Sequence, residues 1–160
     1  MPRRSIALLL VTALVVIAAP SVAQAPIRIG EINSFSGIGA PFTGPYRQAI
    51  EMAVEEVNAK GGVLGRKVEV LFRDDKGQPA EAVKHAQELV AAEKVSLISG
   101  TFLSNVGLAV SDWAKQNNTL FVAAEPLTEA ITWSKGHDHV FRVRPNTYEQ
   151  GRMLAEKAAA

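Results

Sequence analysis

What most restricts the folds open to this chain is an alternation: beyond Pro26, short β-rich runs take turns with longer stretches of helical period. Residues 27–33 (IRIGEIN) read as a first strand. From about 43 to 60 the chain turns helical, with Tyr46, Ile50, Ala53, Val54 and Val57 on one face. Gly61-Gly62 closes that helix, because glycine tolerates the left-handed cap conformation. Residues 67–73 form a second strand, and Pro79 opens the next helix at a position where its missing N–H costs nothing. Val83, Ala86, Leu89 and Val90 supply that helix with a buried face. A strand-length run at 95–99 precedes a helix through Lys115, marked by Val106, Ala109, Val110, Trp113 and Ala114. Residues 120–124 and 140–143 complete the strand set. Asn146-Thr147 then opens a last helix, with Glu149 and Gln150 placed as capping partners.

Five strands joined by helical crossovers predict an α/β fold, a mostly parallel sheet flanked by helices on both faces. No Gly, Asn or Pro stops the last helix before Ala160, and its apolar face meets no later element. The expectation is one truncated lobe of a longer protein.

The first residues carry an address. Arg3 and Arg4 precede an apolar run over 6–19, Pro20 breaks it, and the small residues Ser21-Val22-Ala23 follow. That order is a secretory signal peptide over residues 1–23; cleavage after Ala25 instead would leave Pro26 obstructing the protease. The run is shorter than the roughly 20 residues a bilayer-spanning helix needs. Residues 24–160 are therefore the expected mature lobe. The chain has no Cys, so export brings neither a disulfide nor a lipid anchor on an N-terminal Cys. Its 17 basic and 16 acidic side chains become 15 and 16 once Arg3 and Arg4 leave with the signal. Nothing in that balance attracts nucleic acid or an anionic membrane.

In an open parallel sheet, ligands bind beyond the carboxyl ends of the strands, where helix N-termini converge. That nominates residues 34–42, 74–75, 100–105 and 123–128. The third segment, Gly100-Thr101-Phe102-Leu103-Ser104-Asn105, sets two hydroxyls, an amide and an apolar ring at the mouth of a helix. Ser104 there either grips a carboxylate with backbone N–H groups or caps its own helix, and the two roles are compatible. Phe42 and Phe102 are either ligand contacts or core. Glu125, after a buried strand and before Pro126, is either the partner of a ligand ammonium or a solvated loop charge.

Other motifs exclude more than they suggest. Gly37-x-Gly39, with Asp74 after the second strand, opens like a dinucleotide fingerprint, yet Phe42 stands where the third glycine belongs. Gly61-Gly62-x-x-Gly65 lacks the Lys-Ser/Thr ending of a phosphate loop. His137-x-His139 has no third ligand and reads as a surface turn, His85 as an exposed helical residue, and Asp74-Asp75 as a solvated turn. No nucleophile elbow, reactive Cys or glycosidase-like carboxylate pair emerges.

Three stretches, QAIEMAVEEVNAKGGVLGRKVEVLFRDDKGQPAEAV, ISGTFLSNVGLAVSDWAKQ and FRVRPNTYEQG, together with Ser36-Gly37, resemble the periplasmic branched-chain amino-acid-binding proteins across residues 27–160. The resemblance implies two α/β lobes closing on a ligand that is handed to an inner-membrane permease powered by ATP hydrolysis, with no cofactor and no nucleic acid, as a periplasmic monomer. By position, Ser104 resembles the family's ligand-carboxylate hydroxyl, Phe102 a backbone contact just before it, and Phe42 the aromatic beside the ligand side chain. Thr101 and Asn105 flank these, and Ala124, Glu125 and Pro126 fall in the second ligand loop. Amino-acid binders of the family tend to carry small residues and a Thr in that loop, whereas here Thr128 is the nearest hydroxyl. The implied ligand is a branched-chain or related amino acid; an aromatic or other organic acid, or service as a ligand sensor, is the alternative. A nucleotide-binding enzyme is the alternative of another class.

Overall fold

The computed structural model describes residues 24–159, so the signal peptide read over residues 1–23 lies outside the described residues. The elements run β1 (Ile27–Asn33), α1 (Ala40–Ala59), β2 (Val68–Asp74), α2 (Pro79–Ala91), β3 (Leu97–Gly100), α3 (Ser104–Gln116), β4 (Phe121–Ala123), β5 (Val140–Arg142) and α4 (Thr147–Ala158). Short 3-10 turns stand at Gly37–Gly39 and Glu129–Ile131. All five strands share one sheet in the order β2-β1-β3-β4-β5, and every pairing is parallel. This is the α/β arrangement that the alternation predicts, with α1 on one face of the sheet and α2 and α3 side by side on the other.

Boundaries differ where the chain finds partners that periodicity does not reveal. Helix α1 begins at Ala40 rather than near 43, because Pro41 falls in the first turn, where no N–H is needed. Strand β3 starts at Leu97 rather than 95, since the Val95 N–H still donates to Leu89 O (3.2 Å) at the exit of α2. Strands β4 and β5 are shorter than expected, although Ala124 N–H still reaches Gly100 O (3.0 Å) and Val143 N–H reaches Ala123 O (3.2 Å). Helix α4 starts on a capping box: Asn146 Oδ1 accepts from Glu149 N–H (2.9 Å) and Glu149 Oε2 accepts from Asn146 N–H (2.8 Å). Gln150 takes no part in it and donates to Pro145 O (2.7 Å).

The core sits on the α2/α3 face, where Ile32, Leu89, Ile98, Val106, Val110 and Phe121 are fully buried. On the opposite face, α1 lays Tyr46, Ile50, Ala53, Val54 and Val57 toward Ile29, Val68 and Val70, the stripe its spacing predicts. That contact is loose. A crevice of about 360 Å³ remains between α1 and the sheet, and Thr43 is the one buried residue of α1. No helix among the described residues is long and apolar enough to cross a membrane.

Candidate ligand-binding site

Strands β1 and β3 are neighbours, but the helices that follow them depart to opposite faces, so their exit loops part and open a crevice at the carboxyl edge of the sheet. The backbone there is tightly specified. Gly100 has φ +106°, and a Cβ at this position would lie 2.1 Å from Glu31 Oε1 and 2.4 Å from Ile32 O. Thr101 follows at φ +62°, a costly conformation for a β-branched residue, and is held by its N–H bond to Ile32 O (2.6 Å). This kink swings the chain off β3 and into α3.

Ser104 emerges as the first residue of α3. The capping position belongs to Leu103, and no side chain caps the helix, so the capping alternative for Ser104 is corrected. Its Oγ instead accepts the N–H of Thr128 (3.2 Å), tying the loop after β3 to the loop after β4. The hydroxyl proton stays free to donate at a helix terminus whose first N–H groups lack a side-chain cap. Asn105 is exposed beside it, and Phe102 is half-buried with its ring stacked on Phe42 (centroids 5.4 Å apart, planes at 17°). Phe42 is 62 % exposed, so the two rings form a plate at the rim rather than part of the core.

The second loop is braced from below. Pro126 is buried against α3 at Gly107, where a Cβ would come within 2.7 Å of Pro126 Cγ. Arg142 of β5 donates to Pro126 O (2.8 Å) and to Thr128 O, and burial lowers its pKa. Thr128 Oγ1 accepts from Ala130 N–H (3.3 Å), capping a 3-10 turn. Ala124 is buried. Thr101 is fully buried with Oγ1 packed at Gly107, so its hydroxyl is not presented to the crevice. The structure thus places Phe42, Phe102, Ser104, Asn105 and Glu125 in the first turns of α1 and α3 and the loops after β3 and β4, and leaves Thr101 and Pro126 buried beneath them.

Sequence reasoning passed over the group beneath the rim. Glu31 and Asn33 of β1 are buried on the α1 face, near Tyr46 of α1, Ser99 of β3 and Glu125. Burial pushes the Glu31 carboxyl up to about 7, against weaker opposing help from Ser99 and Tyr46. Burial also raises Glu125, opposed by the Asn33 amide and the charge of Arg144. The available signal was an acid inside the strand IRIGEIN, on the same side of the strand as Asn33 two residues on.

Three polar motifs turn out to be structural. Asp75 is fully buried, not solvated: it accepts from Ser34 Oγ (2.6 Å) and Gly77 N–H (2.7 Å) and latches the loop after β1 to β2. Asp74 accepts from Ser36 N–H (3.3 Å) and Lys76 N–H (3.0 Å); although burial opposes it, the bonds from Ser36 and the backbone lower its pKa. His137 is no free surface residue, since Nε2 lies 3.0 Å from both Ser111 Oγ and Ser111 O. His85 is largely covered and pairs with Glu88 (3.2 Å). Among the described residues no three His, Cys, Asp or Glu side chains group as metal ligands.

Comparison with known proteins adds three findings. The family described as periplasmic binding protein matches residues 26–160. A Leu/Ile/Val-binding protein homolog 7 of Brucella suis is 35 % identical over 146 residues, covering 91 % of this chain and 36 % of its own. The chain spans about a third of the length of the curated relatives it matches. Two solved structures share the fold. One is the branched-chain amino acid transporter substrate binding protein LivJ of Streptococcus pneumoniae with isoleucine (TM-score 0.70, 29 % identity, 76 % of this chain and 34 % of that one). The other is an ABC transporter solute binding protein of Rhodopseudomonas palustris with 4-hydroxybenzoate (TM-score 0.72, 25 % identity, 84 % and 36 %).

Proposed function

The chain belongs to the periplasmic binding protein family, and on that premise we propose that it is the first lobe of the substrate-binding component of an ABC importer, capturing a small carboxylate-bearing solute at the rim around Ser104. The observation that carries this reading is the Ser104 hydroxyl, fixed by Thr128 N–H and still able to donate, at an uncapped helix terminus. A carboxylate set there meets an O–H donor, free backbone N–H groups and the positive end of the helix. The Phe42–Phe102 plate offers an apolar part of the solute a surface, and Glu125 offers a positive group a partner. The isoleucine held by the Streptococcus relative and the 4-hydroxybenzoate held by the Rhodopseudomonas relative have a carboxylate in common, and that shared group is what we assign to Ser104.

The solute is a branched-chain or related amino acid; an aromatic acid is the second reading, favoured by the stacked rings. The protein is exported to the periplasm, closes a second lobe over the solute, delivers it to an inner-membrane permease as a monomer and performs no covalent chemistry. The test is thermal unfolding and calorimetry of the full-length protein against leucine, isoleucine, valine and 4-hydroxybenzoate, because a ligand at a hundred times its Kd adds about 2.7 kcal/mol of stability. Ser104→Ala is expected to weaken capture by roughly 10- to 100-fold, the loss of one hydrogen bond to a charged group. A panel without any melting shift, or a Ser104→Ala variant that binds as wild type, overturns the reading.

A further inference from the structure

Below the rim lies an acid that carboxylate capture leaves unused. Glu31 is 1 % exposed in the middle of the sheet, and neither of its carboxylate oxygens closes a well-formed hydrogen bond. Asn33 Nδ2 and Glu125 Oε2 are likewise buried without a partner. The close approach of Glu31 Oε1 to Gly100 directs the carboxylate toward the carboxyl end of β3, under the loop that presents Ser104. Burying an ionised carboxylate without a partner is strongly unfavourable, so such a group is either neutral or awaiting a cation.

Among the described residues, none of the groups around Glu31 is a cation. Tyr46 faces it from α1, Ser99 from β3, Asn33 from its own strand, and Glu125 from the loop after β4. Arg144, after β5, is the charge that favours ionised Glu125. The Asn33 amide lies close enough to both carboxylates to favour charge on each. Burial, and then the charge of Glu125, hold the Glu31 carboxyl near neutrality.

We propose that Glu125 and Glu31, with the unpartnered Asn33 amide near both, form a proton-holding acid pair that takes the cationic group of the solute. Glu125 is the contacting group and Glu31 the positioning residue that sets its charge. This rests on the carboxylate reading at Ser104 and narrows it to solutes that carry an ammonium beside a carboxylate. Below about pH 7 the empty pair retains a proton on Glu31; an arriving ammonium stabilises the doubly ionised pair, and the proton leaves to solvent. A solute with a carboxylate alone brings a second negative charge toward the pair and releases nothing.

The experiment is calorimetry on the full-length protein from pH 6 to 8, in phosphate and in Tris, with leucine and with 4-methylpentanoate, which keeps the carbon skeleton and carboxylate of leucine but lacks the ammonium. Leucine affinity is expected to rise about tenfold across that range, as ionisation of one group of pKa near 7 requires. The two buffers should report up to one proton released, and 4-methylpentanoate should bind more weakly with no such rise. Glu31→Gln is expected to flatten the leucine profile, a change that a purely structural role would not produce. Should Glu31→Gln fail to fold, Glu125→Gln on the loop keeps the test open by erasing the preference for leucine over 4-methylpentanoate. A flat wild-type leucine profile, or 4-methylpentanoate or 4-hydroxybenzoate binding as tightly as leucine, overturns the acid pair while leaving Ser104 and its carboxylate intact. If none of the three probes binds, the carboxylate reading falls and the acid pair with it.

Discussion

The two faces of this sheet are built to different ends. The face under α2 and α3 is dry: Ile32, Ala82, Ala86, Leu89, Ile98 and Phe121 have no exposed surface. The face under α1 carries Glu31, Asn33, Ser99 and Tyr46 among its apolar residues and leaves a crevice beside them. Both faces come from the same strands, since neighbouring residues of one strand point to opposite sides. In β1, Ile32 joins the sealed side while Glu31 and Asn33 join the other. One face thus supplies stability and lets the other tolerate buried polar groups, whose partners are incomplete.

That contrast can be broken most directly in the dry face. Leu89→Ala should cost about 4 kcal/mol in urea unfolding, the cost of a residual cavity in a packed core. A loss under about 1 kcal/mol would show that this face is no better packed than its opposite. The next largest effect belongs to the wet face. Glu31 releases its proton near 4.5 in the unfolded chain and about 7 in the fold, so the folded state binds more protons between those values. Stability should therefore fall as pH climbs from 4.5 through 7, and level off above. Compared with Glu31→Gln across pH 5 to 8, the wild type should lose up to ~3 kcal/mol relative to the variant. Parallel curves would remove Glu31 as the cause.

Smaller changes sharpen the comparison. Gly107→Ala presses a methyl into Pro126 and should cost about 2 kcal/mol of stability. Because Pro126 braces the second loop, solute affinity should fall with it, whereas Leu89→Ala should leave the affinity of the folded fraction alone. Ile50→Ala, on the half-exposed inner side of α1, should cost about 1 kcal/mol or less in the same urea assay. A cost equal to that of Leu89→Ala would mean the two faces are packed alike.

Much of the frame was legible residue by residue. IRIGEIN marked β1, Pro79 marked the first residue of α2, and Asn146 with Glu149 marked the capping box, all within the span over which local periodicity and capping operate. The loops that bear the candidate site were legible too, because strand ends in a parallel sheet are where chain direction and helix termini converge. What those loops do to one another was not. Ser104 could be read as a carboxylate hydroxyl or a helix cap, and its partner Thr128, 24 residues on, was visible in neither reading. Thr101, read as one of the hydroxyls at the helix mouth, lies fully buried, and His137 looked like a surface residue until Ser111 engaged it.

By itself the sequence determined the order of the elements, the side chains each turns to one side, and the edge of the sheet that carries the candidate site, since these follow from short-range periodicity and backbone stereochemistry. Only the tertiary structure decided which polar groups meet. The spatial order β2-β1-β3-β4-β5 is not the order along the chain. It sets Glu31 beside Ser99 and near Glu125, and lets Arg142 reach back to the carbonyls of Pro126 and Thr128. Such pairings depend on distances that no local pattern encodes.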